Sequence, residues 1–431
     1  MKFIGGEIWI REHVVPARSS WIRESHGNRP YFPCCMTIYL IHLHVLSGID
    51  MQEAVIIDGV RTPFGKQNGA FSDTHPQDLA AEPLLALEER AGFDPEVIED
   101  VIYGCVTPID EQGLNIARLA PMVAGWGDGV PGVQLNRMCG SGQQALNFAA
   151  GQIQSGMHDV LIAGGVEHMS RVPMGSDGSS VTESYFEQFD ELTTQGEGAE
   201  RIAKQWGFTR DDVDEIAVDS QHRWGEAWGA GHYDSQIAPV ETELDGESIT
   251  VEQDEHPRPS TSKEVLSNLP LVFRSDDGVI HAGNSSGIVD GSSALLVASA
   301  ETAAEHGWEP MARIVDSHVV GVDPVTMLTG PIPATQEILD QNDMTVDDID
   351  LFEVNEAFAS VICAWLEETG ADWERTNVNG GAIAHGHPLG ATGAALVTKL
   401  AHELERTGKT TALSTMCIGF GQGIATIIER V

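Results

Sequence analysis

Three glycine-rich stretches of this chain carry the residues best suited to covalent and acid–base chemistry. In Asn136–Gly151, Cys139 is followed by Gly140 and Gly142 and then by an Ala/Leu/Gln-rich run. A cysteine at a helix start feels the positive end of the helix dipole and free N–H groups, which favour thiolate. Glycines in such a turn let a substrate or a second backbone come close. In Asn377–Leu400, His385 and His387 lie among Gly380, Gly381, Gly386, Gly390 and Gly393, and Pro388 stiffens the turn. One neutral imidazole there suits a general base or an oxyanion donor. In Ser414–Gly423, Cys417 ends an apolar strand and meets Gly419, Gly421 and Gly423. Such a turn exposes N–H groups able to hold an oxyanion. A fourth stretch, Val354–Ala359, puts Asn355 and Glu356 at a strand end.

Taken singly, each has a plainer explanation. Cys139 and Cys417 fit inert buried thiols as well, and Asn355 fits a helix N-cap. The His385/His387 pair has no adjacent carboxylate or cysteine to complete a ligand set, so no metal is expected.

The elements that must position these residues alternate strand and helix in the α/β manner from Met51 onward. The pattern occurs twice. Asp94–Cys105 parallels Met344–Phe358, each an acidic lead-in to an apolar strand. The first is followed by the cysteine turn, a helix through Gln143–Ile153 and a strand at Asp159–Gly165. The second is followed by the histidine turn, a helix through Ala394–Leu404 and a strand at Thr410–Cys417. Matching order in two halves indicates an internal duplication. The expected layout is a first half over 51–168, completed by about 287–309, and a second half over 310–431. Between them, 169–286 is richer in Gly, Ser, Asp and Glu and reads as an inserted loop domain with helical patches at Ala199–Trp206 and Arg210–Trp224. Residues 1–50 are nearly neutral and lack a secretory pattern, and are expected to be a gene-start artefact preceding a true start at Met51, or else a disordered tail.

The rest of the composition narrows the partners. There are 65 acidic and 24 basic residues among 431, a formal net charge of −41. Phosphate backbones and anionic lipid repel such a surface, so neither nucleic acid nor a membrane is an expected partner. The acidity fits a solvated surface adapted to high salt, as in a halophile. The six cysteines show no CxxC spacing and suit reduced thiols in a cytoplasmic protein.

Together, "NRMCGSG", "NEAFA", "NVNGGAIAHGHPLGATG" and "CIGFGQG", in this order and spacing, resemble the thiolase family. "DGVRTPFGK" and "GNSSGIVDGSSA" extend the resemblance over essentially all of Met51–Val431. It implies an α/β fold of two duplicated βαβαβ-type halves in α/β/α/β/α layers plus an inserted loop domain. It also implies an acyltransferase of fatty-acid metabolism that makes or cleaves a carbon–carbon bond between acyl-CoA units. By that resemblance Cys139 is the acyl-carrying nucleophile, His387 its activating partner and Cys417 the acid/base at the α-carbon. One oxyanion then faces His387 and a water held by Asn355, the other the N–H groups of Cys139 and Gly419. Ser286, Arg258 and Phe273 fall near the family's coenzyme A contacts. Coenzyme A is implied as substrate, with no tightly bound cofactor, and the assembly as a homodimer or homotetramer.

One departure stands out. Thiolases that make acetoacetyl-CoA often carry Tyr-His-Met-Gly in the loop domain, where Leu192–Glu200 has Thr194 and Gln195 in place of His and Met. A broader, degradative 3-oxoacyl-CoA thiolase therefore stays open. The rival readings are a ketoacyl synthase or hydroxymethylglutaryl-CoA synthase, against which Cys417 argues, and a catalytically silent scaffold subunit, against which the full residue set argues.

Overall fold

The structure, a computed structural model, describes Phe3–Ile4, Glu7–Ile8 and residues 51–431 other than 179. The expectation for 1–50 lies outside the described residues, save that Phe3–Ile4 and Glu7–Ile8 pair antiparallel.

The first half supplies strands β1 (Ala54–Arg61), β2 (Asp100–Gly104), β3 (Gly132–Leu135), β4 (Val160–His168) and β5 (Val289–Ser299). The second supplies β6 (Ala312–Gly321), β7 (Leu351–Val354), β8 (Thr411–Ile418) and β9 (Gln422–Arg430). Strands β1, β4 and β5 are buried along their whole length, which is why they read as near-continuous apolar or small-residue runs rather than alternating ones. Neighbours run β7-β8-β9-β6-β1-β5-β4-β2-β3, and the halves join where Ala312 pairs with Ile56 and Arg313 with Val55.

The duplication is visible in this order. In the first half β2 lies parallel to both β3 and β4, while β5 runs antiparallel to β4 and β1. In the second, β7 is parallel to β8, and β9 runs antiparallel to β8 and β6. The counterpart of β3 is reduced to a parallel bridge between Thr376 and Phe352.

Parallel neighbours need a crossover helix. Two such crossovers, α1 (Ser141–Gln154) and α2 (Leu389–Thr407), share one core: Ala145, Leu146, Ala149 and Ile153 meet Val397, Leu400 and Leu404 between strands of both halves. A second core covers the outer face of the first half with Pro76–Ala91 and Ile116–Val123, and a third covers the second half with Pro331–Gln341 and Ala359–Thr369. The result is five layers, α/β/α/β/α.

The central pair decides where the chemistry goes. A Cβ on Gly393 would sit 2.2 Å from Gln143 N, and one on Gly142 would sit 2.8 Å from Ala394 N. Only glycine allows the two helices to approach so closely at their first turns. The turns that precede them, carrying Cys139 and His387, are brought together by that contact.

Within 169–286, helices span Gln195–Trp206 and Arg210–Gly229, and a hairpin joins Val240–Leu244 to Glu247–Val251. Arg61 anchors this insert from β1 through a buried two-pronged pair with Asp254, at 2.7 and 2.9 Å. Phe64 N–H and Trp224 Nε1–H donate to the same carboxylate at 2.8 and 3.1 Å. These bonds offset much of the cost of burying the charges, although the buried Arg61 Nε has no partner among the described residues.

Candidate active site

Cys139 stands at the end of a tight turn before α1. Met138 adopts φ +47°, which for a side-chain-bearing residue costs about 1–2 kcal/mol. Local hydrogen bonds offset it. Asn136 Oδ1 accepts from Met138 N–H at 2.8 Å, and Ser141 Oγ accepts from Arg137 N–H at 2.9 Å while donating to Met138 O at 2.6 Å.

The thiol itself is buried. Burial pushes Cys139 up to about 11, against the downward pull of N–H groups from Gly419, the Gln195 side chain and its own backbone. The neighbouring Glu167 carboxylate pushes it up further. The helix-start effect expected from sequence therefore does not prevail at rest. A helix terminus is worth about 0.3–1 kcal/mol, less than one pKa unit, whereas full burial moves a group by up to about 3–5 units. At rest the Cys139 side chain is a thiol.

His387 is equally dry. Burial pushes its imidazole down to about 3, so the ring is neutral near pH 7. Thr392 Oγ donates to Pro388 O at 2.8 Å and lies 2.6 Å from His387 Nδ1. With its one proton directed at Pro388, the hydroxyl accepts from Nδ1–H. That leaves Nε2 with its lone pair, and Asn355 Nδ2 approaches it at 3.3 Å. Asn355 Oδ1 is buried and has no hydrogen-bond partner among the described residues. Asn355 is thus not the helix cap that its position also allowed; the following helix, Ala359–Thr369, has Phe358 at its N-cap.

Cys417 lies near the end of β8, where it pairs with Gly423 of β9. Burial raises its thiol above the ordinary range, and the proximity of Cys139 adds to the rise. The turn beyond it is pressed onto the second half: a Cβ on Gly421 would meet Val322 O at 2.5 Å, and one on Gly423 would meet Gly330 O at 2.1 Å. Packed this way, the turn holds Gly419 near Cys139, where its N–H favours the thiolate.

A cavity of about 250 Å³ opens onto His387 and Leu389 and is lined by Gln195, Phe273, Ser286 and Phe358 among others. Of the three expected coenzyme A contacts, Ser286 and Phe273 lie here. Arg258 lines a separate recess of about 210 Å³, where its guanidinium donates to the carbonyls of Glu255, His256 and Pro257 at 2.6–3.0 Å. Ala282 borders both spaces. His385, two residues before His387, instead packs edge-on against Phe64, with centroids 5.6 Å apart. Its Nδ1 lies 2.8 Å from Gly386 O.

Residues 54–301 match the family described as thiolase, N-terminal domain, and residues 308–430 match thiolase, C-terminal domain. The chain belongs to the thiolase family. It is 44% identical over 396 residues to a steroid 3-ketoacyl-CoA thiolase of Mycobacterium tuberculosis, covering 89% of this chain and 96% of the relative. It is also 44% identical over 405 residues to the 3-oxoadipyl-CoA/3-oxo-5,6-dehydrosuberyl-CoA thiolase of Escherichia coli, covering 88% of this chain and 100% of the relative. Among solved structures, the Bacillus anthracis acetyl-CoA acetyltransferase superposes with a TM-score of 0.82 at 37% identity, covering 89% of this chain and 100% of that one. Human mitochondrial 3-ketoacyl-CoA thiolase superposes at 0.80 and 36% identity, over 88% of this chain and 99% of that one.

Several residues that hold this thiolase site together escaped the sequence reading. Glu167, fully buried, accepts N–H groups from Val106, Thr107, Gln112 and Gly390 at 2.9–3.1 Å. It ties the loop after β2 to the first turn of α2, across the two halves. Glu356, placed at a strand end by the sequence but given no role there, ties the second half to the insert, accepting from Ser220 Oγ, Asn377 Nδ2 and Ile383 N–H at 2.6–3.1 Å. A signal existed for Glu167: an acid closing the strand "VLIAGGVEH", whose other residues are apolar or small until His168. A carboxylate at such a place must find several donors. For Thr392 no local signal distinguishes it from any helical threonine.

Proposed function

We propose that this thiolase cleaves 3-oxoacyl-CoA with free coenzyme A, reversibly, through an acyl group carried on Cys139. The observation that carries this reading is the pairing of two buried neutral thiols with a neutral imidazole whose free nitrogen faces a buried amide. In the cleavage direction the Cys139 sulfur attacks the 3-keto carbon and its proton passes to His387 Nε2. Breaking the carbon–carbon bond expels the enolate of acetyl-CoA, and Cys417 gives its proton to that carbon. The Cys417 thiolate then takes the proton of the incoming CoA thiol, whose sulfur captures the acyl group. The Cys139 thiolate leaves and recovers its proton from His387. The same groups run backwards in condensation of two acetyl-CoA.

The environment supports these roles. A thiol raised to about 11 and an imidazole lowered to about 3 do not form an ion pair at rest, so the proton moves only as the new bond forms. The N–H groups of Cys139 and Gly419 suit the acyl oxyanion, and His387 with Asn355 suits the enolate oxygen. Coenzyme A enters as substrate rather than as a held cofactor. Its acyl-bearing end fits the cavity lined by Ser286 and Phe273, and its phosphates fit the Arg258 recess, reached past Ala282.

Relatives named for steroid and 3-oxoadipyl substrates, with Gln195 standing where methionine is frequent, favour acyl groups larger than acetoacetyl. The net charge of −41 favours work at high salt in a halophile's cytoplasm, and the family resemblance favours a homodimer or homotetramer. Among the described residues no helix is long and apolar enough to cross a membrane.

The deciding experiment is a substrate series from acetoacetyl-CoA upward, at several salt concentrations, following CoA-dependent loss of the 3-oxoacyl enolate absorbance. Thiolysis that disappears in Cys139→Ala is expected. Absence of thiolysis at every chain length and salt concentration would sink the proposal in favour of a scaffold role.

A further inference from the structure

Gln195 begins the helix Gln195–Trp206 of the insert, and several contacts hold it there. Thr194 Oγ accepts from Glu197 N–H at 3.3 Å, and Thr193 Oγ donates to Val325 O at 2.6 Å. The ring of Phe273 lies over Gly196, where an added Cβ would come within 2.1 Å of it. Glu197, one residue further, receives Arg274 at 2.6 and 3.0 Å. This packing directs the Gln195 side chain inward. It lines the cavity together with His387, and its Nε2 lies 3.3 Å from the place a Cβ on Gly419 would take. Its Nε2 therefore stands beside Gly419 and Met138, which flank Cys139 in the site, and from there the amide favours thiolate, as the N–H of Gly419 does. The Cys139 thiol is thus flanked by two donor groups from distant parts of the chain, one from the turn after β8 and one from the insert.

A donor to sulfur acts unequally on the two states of the thiol. An N–H bond to thiolate is charge-assisted and about twice as strong as one to a neutral acceptor. It therefore counts when the sulfur is most negative, on approach to the 3-keto carbon and on departure from the acyl group. Backbone N–H groups are present whatever the side chains, but the amide of Gln195 is a choice made by this sequence. Resting on the reading of Cys139 as nucleophile, we propose that Gln195 is a catalytic residue, a side-chain hydrogen-bond donor that stabilises the Cys139 thiolate during acyl transfer. The acyl group that forms on Cys139 then lies against a polar amide instead of an apolar wall, so acyl groups with an oxygen near the thioester are tolerated.

Two substitutions test it. Gln195→Met keeps the reach and removes the donor; Gln195→Glu keeps the shape and sets a carboxylate against the sulfur. The readout is the pH dependence of iodoacetamide alkylation of Cys139, followed on its own peptide by mass spectrometry, together with kcat and KM for coenzyme A. Loss of one charge-assisted bond is expected to raise the alkylation midpoint by about one pH unit in Gln195→Met, slowing alkylation about tenfold at pH 8. Gln195→Glu shifts it further. In both, kcat falls while KM for coenzyme A stays within about twofold, the pattern for an interaction made only in the transition state. An alkylation profile in Gln195→Met that overlays the wild type overturns the proposal, as does a Gln195→Glu midpoint at or below the wild-type value. The underlying reading fails in a different way, by thiolysis that persists in Cys139→Ala.

Discussion

Asn355 Nδ2 lies 3.3 Å from His387 Nε2, while the other ring nitrogen is held 2.6 Å from Thr392 Oγ. The imidazole is therefore oriented from both sides, with its free lone pair turned toward an amide that also carries a buried, unpartnered Oδ1. Replacing Asn355 by Ala removes the group proposed to share the enolate oxygen. A loss of about 10²–10³ in kcat is expected, the scale of one oxyanion donor. Acyl-Cys139 should still form, seen as an acyl mass increment on the intact enzyme. Unchanged kcat would remove Asn355 from the site chemistry.

The two thiols should separate by half-reaction. Cys139→Ala is expected to abolish both acylation by acetyl-CoA and thiolysis. Cys417→Ala is expected to keep acylation of Cys139 yet lose exchange of the α-protons of acetyl-CoA with deuterated solvent. If Cys417→Ala exchanges those protons at the wild-type rate, another base must do so.

Acid should find the buried histidines. Burial lowers His402 to about 4, against the opposing bond from its Nε2 to Gly59 O at 2.8 Å. An unfolded chain binds that proton near its ordinary value of about 6.5, so the unfolded state holds more protons between the two values. The stability this residue contributes is complete above about 6.5 and is lost as pH falls toward 4, by at most about 1.4 kcal/mol per pH unit. His402→Gln can keep the bond to Gly59 without titrating. Melting curves from pH 7 to 4.5 should converge for the two proteins, or cross, as pH falls. A constant difference would contradict the buried neutral state.

Glu167 links both halves through four donors, so Glu167→Gln turns an acceptor into an NH₂ group facing N–H groups. One or two buried donors then lose their partner, at about 1–3 kcal/mol each. A lower denaturation midpoint and a fall in kcat should appear together, because the Gly390 bond seats the first turn of α2 beside His387. Full stability in the variant would show that the donors find other partners.

Salt should act on substrate capture. With a net charge of −41, coenzyme A approaches against repulsion that falls as the Debye length shrinks, from about 10 Å at 0.1 M to about 3 Å at 1 M. KM for coenzyme A is expected to fall over that range, and to rise in Arg258→Gln at all salt concentrations. A KM that is flat in salt would remove long-range repulsion from the account.

Much of this protein could be read before its shape was known, because the relevant signals are local. The glycine turns around Cys139, His387 and Cys417 and the strand and helix periods are each written within a dozen or so neighbouring residues, and the repeated order of elements is a comparison of such local signals along the chain. They reflect backbone geometry, which short sequence windows encode. What the tertiary structure alone decided depends on residues far apart in the chain. Desolvation made Cys139 a thiol at rest although its helix start favoured thiolate, since burial is a property of the whole packed body. Contacts across the halves made Glu167 a joint and brought the Gln195 amide beside Gly419 at the mouth of the site. Close passage of Gly142 and Gly393, more than two hundred residues apart, converted two separate turns into one site.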